Sequence, residues 1–388
     1  MKIIQTIRLV QVFCLQLATL GSWCQMTPVD VLSRIEDMQV SSDAFYDEGL
    51  FPVQRTWNLS NEPVEDNTIF FTAAILHTLN GLDSYLDFES TGTVEKIRQR
   101  ALQNYPKYVS RNGEPTYNFW QTTGPDLPFP NGNRWVSNPK MRLPDDFHSS
   151  VMLAMTADNK QGKLLLREKM TAYAARANRS DNTLNTLAKY EDSRAYEVWF
   201  GKEMPQTFDI CVMANTLMFV FSEGYQLNTY DLETIDLIKQ MVMSDDYIEH
   251  TDDVSHHTTS SAVILYHVAR LMEADTQGLL DEIKPKVLDD LVASINYSAS
   301  EMEKMLAQTA LIMLGGYPVG VIDHALLEQE LSTYPFFIVK PFLGNPQLAF
   351  LNAVVPDIQW KCEAYNWTLY FEYLQVNQRY LSNNSGSH

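Results

Sequence analysis

The fold is indicated most clearly by the stretch PDDFHSSVMLAM, residues 144–155, in which ionisable and hydroxyl side chains lead directly into an apolar helical run. Carboxylates near a helix N-terminus are stabilised by its partial positive charge, so Asp145 and Asp146 can act simply as helix caps. Together with His148, the same aspartates could also carry acid–base chemistry. Asp145, Asp146 and His148 are therefore candidate site residues, and both interpretations stay open.

Outward from this stretch, apolar helices alternate with amphipathic ones along the chain. The pattern predicts apolar helices at residues 68–79, 145–157, 207–221, 260–272, 299–314 and 361–374. It predicts amphipathic helices at residues 29–40, 95–109, 160–177, 231–243, 278–295 and 319–331. Strand patterns are scarce. About twelve helices of two alternating kinds predict an all-α chain folded as an (α/α)6 toroid, with the apolar helices in the inner of two concentric rings.

An open α-solenoid is the alternative to a closed ring, but it would repeat at a nearly fixed period, and no such period is evident here. Long connections precede most of the apolar helices, which places them over the N-terminal ends of the predicted inner ring. Long loops on a rigid scaffold commonly carry binding and catalysis. We therefore predict the functional site on that face.

Candidate site residues on this face come from three further segments. Trp120 lies in an aromatic connection at residues 116–142, where its ring could stack on a sugar or clamp the loop to the body. Trp199 leads into the third apolar helix, whose start carries Asp209 and whose wall carries Asn215. Asp209 is a candidate catalytic residue as well as a cap, and Asn215 a candidate substrate-binding residue as well as a satisfied core amide.

The fourth apolar helix follows two adjacent histidines, His256 and His257. Adjacent residues do not share a helix face, so no metal site is predicted from them. An imidazole titrates near neutral pH, which makes His256 a candidate acid or base and His257 a candidate substrate-binding residue. Tyr266 and Arg270, farther along the helix, are also candidate substrate-binding residues. The sequence identifies no cofactor.

The chain has 388 residues, which is enough for a large helical domain. Residues 1–24 carry positive charge before an apolar run and predict a signal peptide, with residues 25–388 forming a single toroid domain. The protein is then expected to be secreted and extracellular, or periplasmic if the host is bacterial. Two cysteines remain after cleavage, Cys211 and Cys362. Five sequons would accept glycans in a eukaryotic host: Asn58, Asn178, Asn296, Asn366 and Asn383.

The net charge of −19 disfavours nucleic acid as a partner and would permit weak divalent cation binding over a dispersed acidic surface. No later segment is apolar enough over its length to span a membrane. The remaining partner classes are small molecules and glycans.

The helix start at residues 145–155, with the predicted double ring, resembles the terpenoid-cyclase and protein-prenyltransferase superfamily of α/α toroids, in particular its squalene-hopene cyclase branch. In that branch a D-x-D-D-T-A signature begins an inner helix, and its central aspartate donates the proton that starts cyclisation. Asp146 matches the first aspartate, but His148, Ser149 and Ser150 occupy the places of Asp, Asp and Thr, so the motif is degenerate. The resemblance implies a central cavity for an apolar or isoprenoid-like ligand.

Three functions follow as hypotheses. The first is an enzyme or binding protein for an apolar, isoprenoid-like ligand, with Asp145, Asp146 and His148 at the cavity mouth. The second is a carbohydrate-active enzyme. A lyase would draw on His256 or His257 with Tyr266 and Arg270, and a glycosidase on Asp146 and Asp209 as facing carboxyls. The third is a non-catalytic acidic protein of an extracellular matrix or mineral.

Overall fold

A computed structural model describes residues 26–57, 62–123, 145–175, 183, 186–200, 206–258, 260–340, 354–355 and 357–385. These residues are mainly helical and include a small antiparallel sheet. The predicted all-α class is confirmed in its coarser form, a mainly helical chain, to which the structure adds a small sheet. The toroid arrangement stays a prediction. The predicted signal peptide, residues 1–24, lies outside the described residues.

The described part of the chain contains fourteen α-helices, of which twelve have ten or more residues and each of these overlaps one predicted helix. They are α1 (Pro28–Met38), α2 (Phe70–Gly81), α3 (Phe88–Leu102), α4 (Phe147–Thr156), α5 (Lys160–Tyr173), α6 (Ile210–Ser222), α7 (Thr229–Met243), α8 (Asp246–Glu249), α9 (Thr251–Val254), α10 (Ser261–Ala274), α11 (Lys284–Tyr297), α12 (Glu301–Met313), α13 (His324–Thr333) and α14 (Glu363–Ser385). Among them, none has the length and apolar character needed to span a membrane.

Polar side chains begin most of these helices, as helix capping requires. Asp146 caps α4, Asp209 caps α6 and Ser260 caps α10, each accepting a hydrogen bond from a backbone N–H of the first turn. Helix α2 is an exception, because it begins after Ile69 without a side-chain cap. Its start is buried, and the backbone N–H of Phe70 donates instead to the hydroxyl of Thr68 at 3.3 Å.

Six helices are buried over most of their length, and they contact one another in succession. Helix α2 packs on α4, α4 on α6, α6 on α10, α10 on α12, α12 on α14, and α14 on α2. Each amphipathic helix packs on one or two of these six: α3 on α2, α5 on α4, α7 on α6, α11 on α10 and α12, α13 on α12 and α14, and α1 on α14. Most of their apolar faces join one large hydrophobic core, whereas Leu166 and Met170 of α5 belong to a second, smaller cluster with parts of α4 and α6.

The sheet has four short strands, β1 (Val53–Trp57), β2 (Pro63–Asp66), β3 (Phe337–Val339) and β4 (Ile358–Lys361), in the order β2-β1-β4-β3. All neighbours are antiparallel. At the end of β2, the fully buried Asp66 accepts hydrogen bonds from the indole nitrogens of Trp120 at 2.8 Å and Trp360 at 3.0 Å, and lies 3.7 Å from Arg55 Nε. The sheet therefore ties the segment before α2 to the segment before α14.

The core contains both remaining cysteines and one of the five sequons. Cys211 and Cys362 are both buried free thiols, so no disulfide joins them. Asn366 is fully buried and donates its amide hydrogens to the carbonyls of Leu331 and Tyr334, each at 3.0 Å. A glycan on Asn366 is incompatible with this fold, whereas Asn296 is exposed.

Candidate functional site

The candidate site is organised around Asp209, whose fully buried carboxylate lies at the start of α6. Oδ1 accepts the backbone N–H groups of Cys211 and Val212, at 2.9 and 3.2 Å. Oδ2 accepts the backbone N–H of His256 at 2.9 Å and Nδ1–H of His257 at 2.9 Å. Burial alone would raise the pKa of Asp209, but the bond and charge of His257 hold the pKa below its ordinary value. Asp209 is therefore ionised, and both of its oxygens accept hydrogen bonds.

His257 is the side chain that Asp209 orients. Its side chain is 27% exposed, whereas Asp209 is completely enclosed. Because Nδ1 donates to Asp209, Nε2 is the ring nitrogen left to meet a substrate or water. Trp199 lies beside it, with ring centroids 6.5 Å apart, and Phe337 on another side at 6.4 Å. A partly exposed imidazole held by a buried carboxylate is the arrangement of a general base.

His256 differs from its neighbour. Its Nδ1 donates to the backbone carbonyl of Asp252 at 2.9 Å, and Nε2 is buried without a hydrogen-bond partner among the described residues. Burial lowers the pKa of His256, so the ring is neutral near pH 7. Of the two adjacent histidines, His257 is the one placed to meet a substrate, although sequence analysis assigns the catalytic role to His256.

Asp146 lies at the start of α4, next to Trp199, with which it forms an isolated backbone bridge. Its Oδ1 accepts the backbone N–H of Ser149 at 2.6 Å, while Oδ2 is buried with no partner in the described part of the chain. Burial raises the pKa of Asp146 to about 7, and the hydrogen bond from Ser149 and the nearby His257 only partly offset this. Asp146 is thus a carboxyl that can hold a proton near neutral pH. Asp145 accepts the hydroxyl of Thr116 at 2.6 Å.

A second layer of polar side chains comes from three of the buried helices. His148 of α4 and Asn215 of α6 are joined by a hydrogen bond of 2.5 Å between Nε2 and Nδ2. His267 of α10 faces His148, with ring centroids 6.4 Å apart. Burial lowers the pKa of His148 well below its ordinary value and that of His267 to about 4, so both rings are neutral. We call His148, Asn215 and His267 the polar cluster.

The other predicted residues have different surroundings. Tyr266 donates its hydroxyl to Glu372, and Arg270 donates to Tyr266 at 3.2 Å, so these two form a buried network on α10 and α14. Trp120 lies at the sheet, where its indole donates to Asp66. The structure therefore brings Asp146, Asp209, His256, His257 and Trp199 together with the polar cluster, while Tyr266, Arg270 and Trp120 make their contacts elsewhere.

Phe337 and His267 are not selected by sequence analysis. His267 has the same signal that selects Asn215, a polar side chain within an apolar helix, and could have been found. Phe337 belongs to a three-residue strand, and nothing in its local sequence indicates that it packs between His148 and His257, at centroid distances of 6.0 and 6.4 Å.

The acidic side chains are dispersed over the described residues. No group of three or more His, Cys, Asp or Glu side chains in the described residues could hold a metal ion. An acidic cleft of about 420 Å³ is lined by Glu249, His250, Thr251, Asp252, Asp253, Lys340 and Asp357. Lys340 pairs with Asp252 there. Weak cation binding stays a prediction.

No protein-family model matches this chain, and no curated protein sequence matches it either.

Proposed function

We propose that this chain is a carbohydrate-active enzyme that cleaves a glycosidic bond by general acid–base catalysis on an (α/α)6 toroid. The observation that carries the proposal is the hydrogen bond from His257 Nδ1 to the buried Asp209, which leaves the other face of a partly exposed imidazole available for proton transfer.

The toroid is supported by the order of helix contacts. Six buried helices contact one another in succession and the last contacts the first, while each amphipathic helix packs on one or two of them. A closed ring of six with an outer layer accounts for all of these contacts. In such a ring the N-terminal ends of α4, α6 and α10 share one face, which agrees with the hydrogen bonds that link Asp209 to His257 and His148 to Asn215.

The chemistry assigns one role to each group. His257 takes a proton from a water molecule, which attacks the anomeric carbon, and Asp209 orients the imidazole and stabilises its cation. Asp146 delivers its proton to the departing sugar oxygen, a role that its raised pKa suits. Trp199, partly exposed beside His257, offers an aromatic face to a sugar ring.

This assignment differs from a glycosidase with Asp146 and Asp209 as its two catalytic carboxyls. Both oxygens of Asp209 already accept hydrogen bonds from N–H groups, and its pKa is low. Asp209 orients His257 and does not itself contact the substrate, so it is a positioning residue.

The test is a turnover assay of the purified protein on neutral and uronate-containing polysaccharides, reading reducing ends for cleavage and ultraviolet absorbance for the unsaturated product of elimination. His257→Gln should lower turnover by about 10²–10⁴-fold, the usual contribution of a general base. His324→Gln, at an exposed histidine, is the matched control and should retain full activity. Turnover that survives in His257→Gln, or no turnover on any polysaccharide, would contradict the proposal.

An apolar or isoprenoid-like ligand is a second candidate, because phenylalanine rings gather beside the polar cluster. Phe337 packs on Phe70 at 4.8 Å and on Phe71 at 5.1 Å, and Phe70 lies 4.3 Å from His148. Aromatic faces stabilise both alkyl chains and carbocations. Quenching of tryptophan fluorescence by a farnesyl alcohol, lost in Phe70→Ala, would favour this function over carbohydrate cleavage.

Secretion is part of the proposal and is supported by the apolar run in residues 1–24. An extracellular glycan is a substrate that a secreted enzyme would meet. If neither turnover nor ligand binding is detected, the remaining hypothesis is a non-catalytic acidic protein of an extracellular matrix or mineral.

A further inference from the structure

The polar cluster contains more hydrogen-bonding capacity than the protein uses. His148, Asn215 and His267 are only 6, 4 and 5% exposed. The described residues supply no hydrogen-bond partner for His148 Nδ1, Asn215 Oδ1 or His267 Nε2. The side chains are held almost completely inside the protein, and three unused hydrogen-bonding atoms in one place can bind the polar groups of a ligand.

The neighbouring hydrogen bonds define what each free atom offers. His267 donates Nδ1–H to the carbonyl of Val263 at 2.8 Å, which leaves Nε2 as an acceptor. Asn215 donates Nδ2–H to His148 Nε2, which leaves Asn215 Oδ1 as an acceptor and puts the hydrogen of His148 on Nδ1 as a donor. The cluster therefore presents one donor and two acceptors.

We propose that the polar cluster is a binding subsite for the hydroxyl groups of a neutral sugar ring. A hydroxyl group donates and accepts, so adjacent hydroxyls satisfy the one donor and the two acceptors together. A carboxylate or phosphate only accepts, and it would meet two acceptors across from it. The inference rests on the proposed carbohydrate function and specifies its substrate class as neutral rather than uronic.

Aromatic side chains complete this subsite. Phe70 lies against His148 and Phe336 against His267, with ring centroids 4.3 and 5.9 Å apart. Both phenylalanine rings are buried, at 1 and 2% exposed, so they hold the two imidazoles in position for the hydroxyl groups of a sugar. Phe337 stands between the cluster and His257, and Ile338 N–H bonds to the His257 carbonyl at 3.1 Å. A sugar that joins the cluster to the base must displace the Phe337 ring.

The test is calorimetric binding to the full-length protein with glucose, galactose, mannose and xylose as neutral probes and glucuronate as the charged one. At least one neutral sugar should bind, and glucuronate should bind about tenfold more weakly or not at all. His267→Phe should weaken binding by about tenfold or more, as expected when a buried partner of a hydroxyl is removed. His324→Phe, at an exposed histidine, is the matched control.

Phe337→Ala provides a second variant that keeps the cluster intact, and it should speed sugar association. Binding equal in His267→Phe and His324→Phe, preference for glucuronate, or no binding by any neutral sugar would overturn the inference. The catalytic function and the sugar subsite can be refuted independently of each other. Sugar binding that depends on His267 without any turnover would refute the catalytic function only, and turnover that depends on His257 with binding insensitive to His267 would refute the subsite only.

Discussion

Two aspartates at equivalent helix positions have opposite acid–base behaviour. Asp146 and Asp209 are both buried N-caps, yet burial raises the pKa of Asp146 to about 7, while the pKa of Asp209 falls below its ordinary value. The difference lies in the second oxygen: that of Asp209 accepts hydrogen bonds from His256 and His257, and that of Asp146 has no partner among the described residues. The sequence shows two capping aspartates, but only tertiary contacts decide which one holds a proton.

The raised pKa of Asp146 predicts a pH-dependent stability. The unfolded chain ionises this carboxyl near its ordinary pKa of 3.8, whereas the folded protein keeps the proton until about pH 7. Stability from this group is therefore full below pH 3.8 and is lost as the pH rises through about 7. At about 1.4 kcal/mol per pKa unit, the loss is about 4 kcal/mol.

Asp146→Asn cannot ionise and should remove this loss. Urea unfolding at about pH 4 and about pH 8 measures it: the variant should gain a few kcal/mol relative to the unmodified protein between the two pH values. A constant difference across the range would show that Asp146 ionises normally.

Asp209→Asn tests the buried carboxyl whose pKa is lowered rather than raised. The amide replaces one acceptor oxygen with a donor, which then faces N–H groups of His256 and His257 or of the first turn of α6. We expect the free energy of unfolding to fall by about 3 kcal/mol and turnover to fall further than in Asp146→Asn, since His257 loses its orientation. Chemical denaturation and the pH profile of turnover distinguish the two effects. Normal turnover with lowered stability would limit Asp209 to a capping role.

At the scale of the elements, the helices follow from the sequence and the sheet does not. Apolar residues every three to four positions are a local signal, and each of the twelve longer helices overlaps a predicted one. Strand β1 pairs with β4, about 300 residues later, in the register Arg55 opposite Trp360. Strands of three to five residues carry too little local signal to indicate such partners.

The sheet also gives a prediction for Trp120. Its indole N–H bonds to Asp66, so Trp120→Phe should leave a buried carboxylate short of one donor and lower the free energy of unfolding by about 1–3 kcal/mol. Sugar binding should be unchanged. Thermal unfolding and calorimetry of the same sample check both parts, and a loss of affinity without a loss of stability would return Trp120 to the binding site.

At the scale of the molecule, the sequence predicts a face over the helix starts, and that face stays a prediction. Two of the residues selected for it, Asp209 and His257, do contact each other, and Asp146 lies close enough for His257 to influence its pKa. The choice between His256 and His257 depends on the backbone just before α10, which turns one ring inward and the other toward solvent. Helical periodicity contains no information about such a segment.

The concentration of neutral histidines in the interior predicts acid sensitivity of the whole fold. His267 has its pKa lowered to about 4 by burial, against 6.5 ordinarily. The unfolded chain gains a proton there below pH 6.5 and the folded chain only near pH 4, so this contribution to stability is present above pH 6.5 and is lost as the pH falls to about 4. The difference is worth about 3 kcal/mol. His148 and His256 act in the same direction, and Asp146 opposes them.

The contributions of these groups to the pH dependence of stability overlap. A matched pair of variants isolates the contribution of His267. His267→Phe should lose less stability than His324→Phe between about pH 7 and about pH 4, by about 3 kcal/mol, since the buried phenylalanine has no proton to gain and His324 is exposed. Urea unfolding monitored by circular dichroism at the two pH values gives the comparison. Equal acid sensitivity in the two variants would mean that His267 is protonated in the folded protein, which would also remove the acceptor that the sugar subsite requires.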